Sequence, residues 1–200
     1  NVTETGRGVP VRIKNPLLAN NSEMRRSILP GLLRSVAYNL DHGVPNVALY
    51  EIGRVFFGHE SKSQPDEPTY VCGVLAGRRA DDAWNIKFPD YDFFDAKGAV
   101  EQLLSALRLT KVRFKVADGE KYPWLQPGRA AEVLSQGESL GWVGNIHPAS
   151  LQKVGIDVPV IAFELSVEAL LRLAKRELPY VDVPTLEAMG ADLHGWYQKR

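Results

Sequence analysis

Two aspartates, Asp92 and Asp95, are the pair of carboxylates in this 200-residue chain whose spacing suits metal binding. They lie three positions apart at the predicted start of a helix, so they share one face of it. Paired carboxylate oxygens of this kind can bind a hard cation. The same pair can also cap the helix and place negative charge near the positive end of its dipole. We favour capping as the interpretation.

Arg129 is the cation whose position could support ligand binding. It follows Pro127 and Gly128 at the predicted start of a strand, just after the aromatic loop 122–124. Its guanidinium could bind a carboxylate or a phosphate through two parallel hydrogen bonds. It could equally fix a buried loop through carbonyl contacts. The second role is favoured, because the sequence places no other anion-binding residue with it.

Other chemical motifs are missing from the sequence. It has no G-x-x-x-x-G-K-S/T phosphate loop, no G-x-G-x-x-G, no H-E-x-x-H, no C-x-x-C and no G-x-S-x-G. The four histidines are far apart and are predicted to be structural or solvated: His42, His59, His147 and His194. The single cysteine, Cys72, lies in an apolar run and is predicted to be a buried thiol.

Charge and composition narrow the class of protein. Lysine plus arginine total 24 and aspartate plus glutamate total 24, so the net charge of zero argues against a surface that binds nucleic acid all over. A local basic patch is compatible with it. The 44% hydrophobic fraction allows a sizeable core, and no apolar run approaches the roughly 20 residues of a membrane helix. The chain starts at Asn1 without a signal-peptide pattern, and we expect a piece of a longer protein.

Two long helices are predicted. Apolar residues at helical spacing predict the first over 28–40, with Pro30 in its first turn, where a missing N–H costs nothing. The second begins after Asp92 and continues to Leu107, with its apolar positions on one face. These helices must be positioned by the strands between them.

Runs of β-forming residues predict strands over 9–13, 47–57, 70–75, 111–116, 130–134, 140–146 and 160–165. The segment 135–139 is a predicted hairpin turn, His147-Pro148 is predicted to begin a short helix, and Ser166 is predicted to cap another. Hairpins with helices between them predict an α+β fold, a mainly antiparallel sheet flanked by helices.

The first helix has a broad apolar surface. Met24, Leu29 and Leu33 widen its stripe beyond one narrow seam. A one-sided apolar helix is ordinarily part of the core. A helix that is apolar on two faces often packs against a partner as well as against its own sheet. Both interpretations stay open on the pattern alone.

Six motifs follow one another along the chain: Asn15–Leu17 with Met24–Leu33, Tyr50–Phe56, Asp92–Gly98 with Val100-Glu101, Pro127–Ala131, Gly141–Pro148 and Phe163–Leu165. In this order they resemble the beta subunit of bacterial phenylalanyl-tRNA synthetase, over roughly Val11 to Pro184. The resemblance implies structural roles for the motif residues Asn15, Pro16, Arg25, Pro30, Gly31, Glu51, Gly53, Asp92, Asp95, Lys97, Gly98, Pro127, Gly128, Arg129, Gly144, His147 and Pro148.

The resemblance implies a module over residues 1–185 that is similar to a class II aminoacyl-tRNA synthetase core but is not itself catalytic, with an unmatched tail over 186–200. In the family, the alpha subunit binds ATP, magnesium and phenylalanine and makes the aminoacyl adenylate. Two alpha and two beta subunits form a cytoplasmic heterotetramer that attaches phenylalanine to tRNA(Phe). The implied partner of this chain is therefore the alpha subunit. No cofactor, metal or membrane is expected on this segment, and tRNA would be bound by other domains.

The resemblance also gives the broad first helix a role, because the family uses the matching helix at the alpha–beta interface. The residues expected there are Met24, Leu29, Leu32, Leu33 and Val36. Two other functions remain as alternatives. One is a stand-alone, nucleotide-binding, ligase-like enzyme, and the other is a module that binds tRNA through a local basic face.

Overall fold

The computed structural model describes residues 9–15, 22–58, 64–81 and 83–174. Four helices and six strands follow one another along this part of the chain. In chain order they are α1 (Leu29–Asp41), β1 (Val47–Arg54), β2 (Thr69–Ala76), α2 (Phe93–Ala106), β3 (Val112–Val116), β4 (Leu125–Ser135), β5 (Glu138–Ile146), α3 (Pro148–Gln152), β6 (Val160–Ser166) and α4 (Val167–Leu173).

One six-stranded sheet, in the order β1-β2-β6-β5-β4-β3, organises the described residues. Every neighbouring pair is antiparallel. α1 packs on one face of the sheet, and α2 and α4 pack on the other, each with its own apolar cluster. The predicted α+β class with a flanked antiparallel sheet is confirmed. β1 and β3 are the two edges.

The central strands supply side chains to both apolar clusters. Because successive side chains of a strand point to opposite faces, β5 places Trp142 on the α1 side and Val143 on the α2 side. β6 does the same with Ala162 and Ile161. A strand covered on both faces has little need of alternation, which is why both strands are mostly apolar in sequence.

Two strand predictions near the first helix are wrong in extent. Residues 9–13 form isolated bridges instead of a strand, because Val9 pairs with Gly58 whereas Arg12 pairs with Glu23. The strand predicted over 47–57 ends at Arg54. Val55 donates to the carbonyl of Pro68, but Pro68 has no N–H to return the bond, so the ladder with β2 is interrupted before Phe57 pairs with Asp66 as an isolated bridge.

The hairpin between β4 and β5 is tighter than its sequence indicated. Only Gln136 and Gly137 connect the strands, with φ of 54° and 90°. Two consecutive residues in the left-handed region match the twist of the flanking strands, so a two-residue turn suffices. The predicted turn over 135–139 is therefore wrong in length. β4 is also longer than predicted, starting at Leu125, with a register shift between Leu125 and Ala130.

The predicted helix starts are confirmed. Pro30 lies in the first turn of α1, and Asp92 is the N-cap of α2. The Ser166 hydroxyl accepts a hydrogen bond from the Ala169 N–H at 3.3 Å and caps α4. Cys72 is fully buried, as predicted. Within the described ranges, the helices are all too short or too polar to cross a membrane.

Candidate functional site

The start of α1 is held by a carboxylate from the middle of the sheet. Glu164 of β6 is 1% exposed, and its Oε1 accepts hydrogen bonds from the Ser27 hydroxyl and the Ile28 N–H, each at 2.8 Å. The N-cap residue of α1, Ile28, has no side chain that could do this. Negative charge at this end also complements the helix dipole. Glu164 therefore fixes where α1 sits on the sheet.

A second contact, the Arg25 clamp, joins the segment before α1 to β1. The Arg25 Nε donates to the carbonyl of Arg54 at 2.8 Å, and its Nη1 donates to Glu51 Oε1 at 2.5 Å. Gly53 lies under the guanidinium, and a Cβ at that position would collide with it. Three motif residues recognised in the sequence thus meet in one cluster: Arg25, Glu51 and Gly53. This cluster sets the position of α1 relative to the sheet edge.

The structure places most of the predicted interface residues inside the chain. Leu29, Leu33 and Val36 are 0% exposed, Leu32 is 6% exposed, and all four belong to the cluster between α1 and the sheet. Met24 is half-buried. These side chains position α1, and their contact with a partner stays a prediction.

Other residues form the outward surface of this region. Gly31, Arg34, Ser35 and Tyr38 lie on the face of α1 that points away from the sheet, and Tyr38 is 63% exposed. At the edge strand β1, Tyr50 is 75% exposed and Ile52 is 61% exposed. By alternation along β1, Tyr50 and Ile52 lie on the face of the sheet opposite to α1, whereas Val47 and Leu49 pack in the α1 cluster. We call the outward face of α1 and these two residues together the α1–β1 edge. Its exposed apolar side chains are typical of a surface that contacts another protein.

Two tryptophans fill the sheet face beneath α1. Trp142 is fully buried, Trp124 is 2% exposed, and their rings meet edge to face with centroids 6.2 Å apart. Tyr122 packs edge to face on Trp124. Phe94 is 70% exposed and takes no part in this filling. The indole N–H groups of both tryptophans have no acceptor among the described residues.

The aspartate pair caps α2. Asp92 Oδ1 accepts from the N–H groups of Phe94 and Asp95, at 2.8 and 3.2 Å, while Asp95 Oδ2 accepts from the N–H of Asp92 at 2.8 Å. Asp95 Oδ1 also pairs with Arg79 Nε at 2.7 Å. This capping box confirms the favoured interpretation of the pair. The described residues include no group of three or more His, Cys, Asp or Glu side chains that could hold a metal ion.

Lys97 belongs to the same sequence motif as Asp92 and Asp95. It forms an ion pair with Glu101 one turn later and lies over the Phe114 ring, 4.6 Å from the ring centroid. Gly98 faces open space on α2. Both residues belong to the helix surface, and neither faces a cavity that the structure describes.

A polar network centred on Glu132, which the sequence analysis missed, joins β4 and β5. Glu132 Oε1 accepts from Lys121, from the Ser139 hydroxyl at 2.7 Å and from the Tyr122 hydroxyl at 3.2 Å. Burial alone would raise the pKa of Glu132, but the hydrogen bonds, that of Lys121 first, hold it below its ordinary value. The same pairing raises the pKa of Lys121, and burial raises the pKa of Tyr122.

The motifs of β4 and β5 meet at one end of the sheet. Gly144 pairs with Ala130 so closely that a Cβ on Gly144 would collide with it. His147 Nδ1 accepts from the Ala149 N–H at 3.2 Å and caps α3, with Pro148 in the first turn. Pro127, Gly128 and Arg129 are exposed in the irregular part of β4.

Two sequence predictions fall outside the described residues, namely Pro16 and the tail over 186–200. Asn15 is described and exposed. The contacts of Glu164 and Glu132 were not predicted as sites. The one signal for Glu164 was a charged residue inside the apolar run of β6.

Comparison with known proteins agrees with the resemblance that the motifs indicated. The family model of the phenylalanyl tRNA synthetase beta chain CLM domain matches residues 2–167. This chain belongs to that family. The phenylalanine–tRNA ligase beta subunit of Moorella thermoacetica is 38% identical over 183 residues, covering 92% of this chain and 22% of that protein.

Other relatives are similar to the same degree. The beta subunit of Geobacter sulfurreducens is 35% identical over 172 residues, covering 86% of this chain and 21% of that protein. The beta subunit of Staphylococcus haemolyticus is 34% identical over 178 residues, covering 89% of this chain and 22% of that protein. The chain thus spans about a fifth of the length of the curated relatives that it matches.

Proposed function

We propose that this chain is a structural module of a phenylalanine–tRNA ligase beta subunit, which assembles with the catalytic alpha subunit and does not itself make the aminoacyl adenylate. The whole enzyme attaches phenylalanine to tRNA(Phe) at the cost of ATP. In this proposal it is a cytoplasmic heterotetramer of two alpha and two beta subunits, and other domains bind the tRNA.

The filled sheet face is the observation that carries the non-catalytic role. Trp124, Trp142 and Tyr122 occupy the surface between the sheet and α1, each at most 5% exposed. A nucleotide needs an open, mostly pre-formed cleft with convergent polar groups. Side chains take up that space here, so the face supports packing of α1 and not adenylate formation.

The aspartate pair at the start of α2 fits a resident magnesium ion poorly. The oxygens of Asp92 and Asp95 already accept hydrogen bonds from the backbone at the start of α2, and Asp95 pairs with Arg79. ATP and magnesium therefore belong, in this proposal, to the alpha subunit. No chemical step is assigned to residues of this chain.

The α1–β1 edge is the surface that we assign to the alpha subunit. Tyr38, Tyr50 and Ile52 are large, apolar and more than half exposed, and β1 is an edge strand with unpaired backbone groups. Four buried residues of α1 support this surface by holding the helix on the sheet: Leu29, Leu32, Leu33 and Val36. Met24 is half-buried in the segment before the helix. In this proposal the alpha subunit contacts the outer surface of α1, whose inner face the sequence singled out, together with the exposed side chains of β1.

Assembly with the alpha subunit tests this assignment. The full-length beta subunit carrying Ile52→Asp should lose stable association with the alpha subunit in co-purification and sedimentation. Burying the new carboxylate at the contact without a partner is unfavourable, because the charge loses its water. Val116→Asp is the matched control, since Val116 is 75% exposed at the opposite edge strand, β3. Equal assembly of both variants would remove the exposed face of β1 from the interface.

Calorimetry with ATP and magnesium tests the non-catalytic role separately. The chain alone should show no saturable heat of ATP binding. Clear saturable binding by a correctly folded chain would favour the stand-alone ligase-like enzyme instead.

A further inference from the structure

A groove of about 640 Å³ lies beside β3, the edge strand on the side of the sheet opposite β1. Three cations from one short segment line it: Lys111, Arg113 and Lys115. All three residues are exposed. The described residues that line the groove include no carboxylate, although the chain as a whole carries no net charge. The groove is therefore a local surface of positive charge on a neutral chain.

The pleat of β3 places two of these cations on the same face of the sheet. Phe114 lies between them and packs with the α2 cluster, so Arg113 and Lys115 point to the opposite face. Lys111 comes directly before the strand and lines the same groove. Because a strand rises about 3.3 Å per residue, the three cations form a row about 13 Å long. We call these three residues the β3 cation row.

The row has no counter-charge within the part of the chain that the structure describes. None of its three cations forms an ion pair there. The next two strands of the sheet, β4 and β5, each contribute one carboxylate. Both carboxylates are already paired, Glu132 with Lys121 and Glu138 with Arg172. The row can therefore bind negative charge from another molecule.

Protection of the sheet edge does not account for the row. Edge strands often carry lysine, because its charge opposes pairing with another chain. That purpose requires neither a single sign of charge nor three charges in succession. Lys111 also has a φ of 55°, a backbone conformation that glycine and asparagine adopt more readily. The turn before β3 thus carries a cation at a position whose backbone favours other residues.

We propose that the β3 cation row binds the phosphate backbone of duplex RNA. Lysine and arginine bind phosphates without reading the base sequence, and a row about 13 Å long reaches several successive phosphates of one strand. The choice of RNA over DNA rests on the proposed function, because that enzyme acts on tRNA(Phe). The row adds a contact to those that other domains make with the tRNA.

Two other kinds of partner fit the row less well. A protein interface has an apolar core, whereas the exposed side chains of the row are all cationic. A single strand is bound in large part by stacking of its bases on aromatic side chains. Phe114 is the aromatic residue among the described lining of the groove, and Lys97 lies over its ring. The phosphates of a duplex need no such stacking surface.

Fluorescence anisotropy on the chain without the alpha subunit tests the kind of ligand, with a labelled RNA duplex of about 20 base pairs as the probe. The duplex should bind saturably below about 1 mM at about 50 mM salt. The logarithm of its association constant should fall against the logarithm of the salt concentration with a slope of about −3, since three phosphates are neutralised. Labelled poly-L-glutamate should bind about tenfold more weakly. Absence of saturable duplex binding, or equal binding of poly-L-glutamate, would overturn the proposal.

Variants locate the contact. Combined Lys111→Gln, Arg113→Gln and Lys115→Gln should weaken duplex binding about tenfold or more and reduce the salt slope by about 2 to 3. The matched control combines Arg34→Gln, Lys87→Gln and Lys153→Gln, which remove the same charge from exposed positions outside the groove. This control should bind the duplex much as the parent chain does. Equal losses in the two triple variants would show that net charge, and not the row, determines binding, which would contradict the assignment.

A charge-conserving variant separates electrostatics from a loss of structure. Combined Lys111→Arg, Arg113→Lys and Lys115→Arg should keep duplex binding within about twofold of the parent chain, because phosphate contacts require the charge. Loss of binding in this variant would contradict a contact made to phosphates. Since RNA binding is measured without the alpha subunit, a negative result would overturn the row as an RNA contact and leave the assembly proposal standing.

Discussion

Glu164 and Ile28 are joined across the core: the Glu164 carboxylate accepts the Ile28 N–H at 2.8 Å and caps α1 from the sheet. The hydroxyl of Ser27 donates to the same oxygen. The contact is buried, and Glu164 stands opposite both Cys72 and Trp142 in the neighbouring strands. The first helix is therefore attached to the centre of the sheet at its start, through a charge-assisted hydrogen bond.

Removing this carboxylate should destabilise the chain strongly. We expect Glu164→Ala to lower the free energy of unfolding by about 3 kcal/mol, because two donors lose a charged acceptor in the core. Glu164→Gln keeps an acceptor oxygen and should cost about 1 to 2 kcal/mol. Urea unfolding at neutral pH measures both. Glu101→Gln, on the exposed surface of α2, serves as the control and should change stability by less than about 0.5 kcal/mol. A Glu164→Ala variant as stable as that control would contradict the capping role.

The Arg25 clamp should depend on Gly53. Arg25→Ala removes the contacts to Glu51 and to the Arg54 carbonyl, and should cost about 1 kcal/mol, because the pair is partly exposed. Gly53→Ala should also destabilise, since its Cβ displaces the guanidinium. In the Arg25→Ala background, however, Gly53→Ala should cost clearly less, which a double-mutant cycle in urea measures. Strictly additive effects would show that the two residues do not interact.

The Glu132 network should make stability depend on pH on the acid side. The pKa of Glu132 is lowered in the folded chain, so its contribution is complete above the ordinary value of 4.5 and is lost as the pH falls through the folded value. Glu132→Gln should therefore be less stable than the parent chain at neutral pH, and the difference should shrink on acidification. Unfolding free energies from about pH 3 to about pH 7 measure this. A difference that does not change with pH would contradict it.

The stability of the chain should also depend on pH on the alkaline side. The hydrogen bond to Glu132 raises the pKa of Lys121, and burial raises the pKa of Tyr122. Both contributions are present below the ordinary values and are lost as the pH rises through the folded ones. Stability should fall at alkaline pH, and the fall should be smaller in Lys121→Met.

Gly31 offers a test of the outward face of α1 that leaves the fold intact. A Cβ at Gly31 would meet no atom, so Gly31→Ala should raise the free energy of unfolding by about 0.5 to 1 kcal/mol. If the alpha subunit packs closely on α1, the added methyl group should at the same time weaken assembly. Gly98→Ala on α2 is the matched control, since it also meets open space. It should stabilise the chain similarly without affecting assembly.

The two glycine variants are compared by thermal unfolding and by sedimentation with the alpha subunit. Undiminished assembly of Gly31→Ala would show that the outward face of α1 is not a close-packed contact. Weaker assembly of both variants would point to a general effect of helix stability instead.

Local patterns were sufficient to predict most elements of this fold. Helical spacing located α1, and Asp92 with Asp95 located the start of α2, because the capping residues lie within one turn of the N–H groups that they bind. Element ends were less accurate. β1 stops at Arg54 because Pro68, the next partner in register, has no N–H to donate, and no local pattern within 47–57 indicates that partner.

The sequence alone predicted most helices and strands, favoured capping as the role of the aspartates and, through the order of its motifs, indicated the family. Only the tertiary structure decided which face of α1 is free, because Leu29 and Tyr38 lie on the same helix and their exposure depends on where the sheet lies. It also decided that Glu164 meets Ser27 across 137 positions and that Arg25 meets Glu51 across 26. Such contacts depend on strand order and register, which form only when the whole sheet assembles.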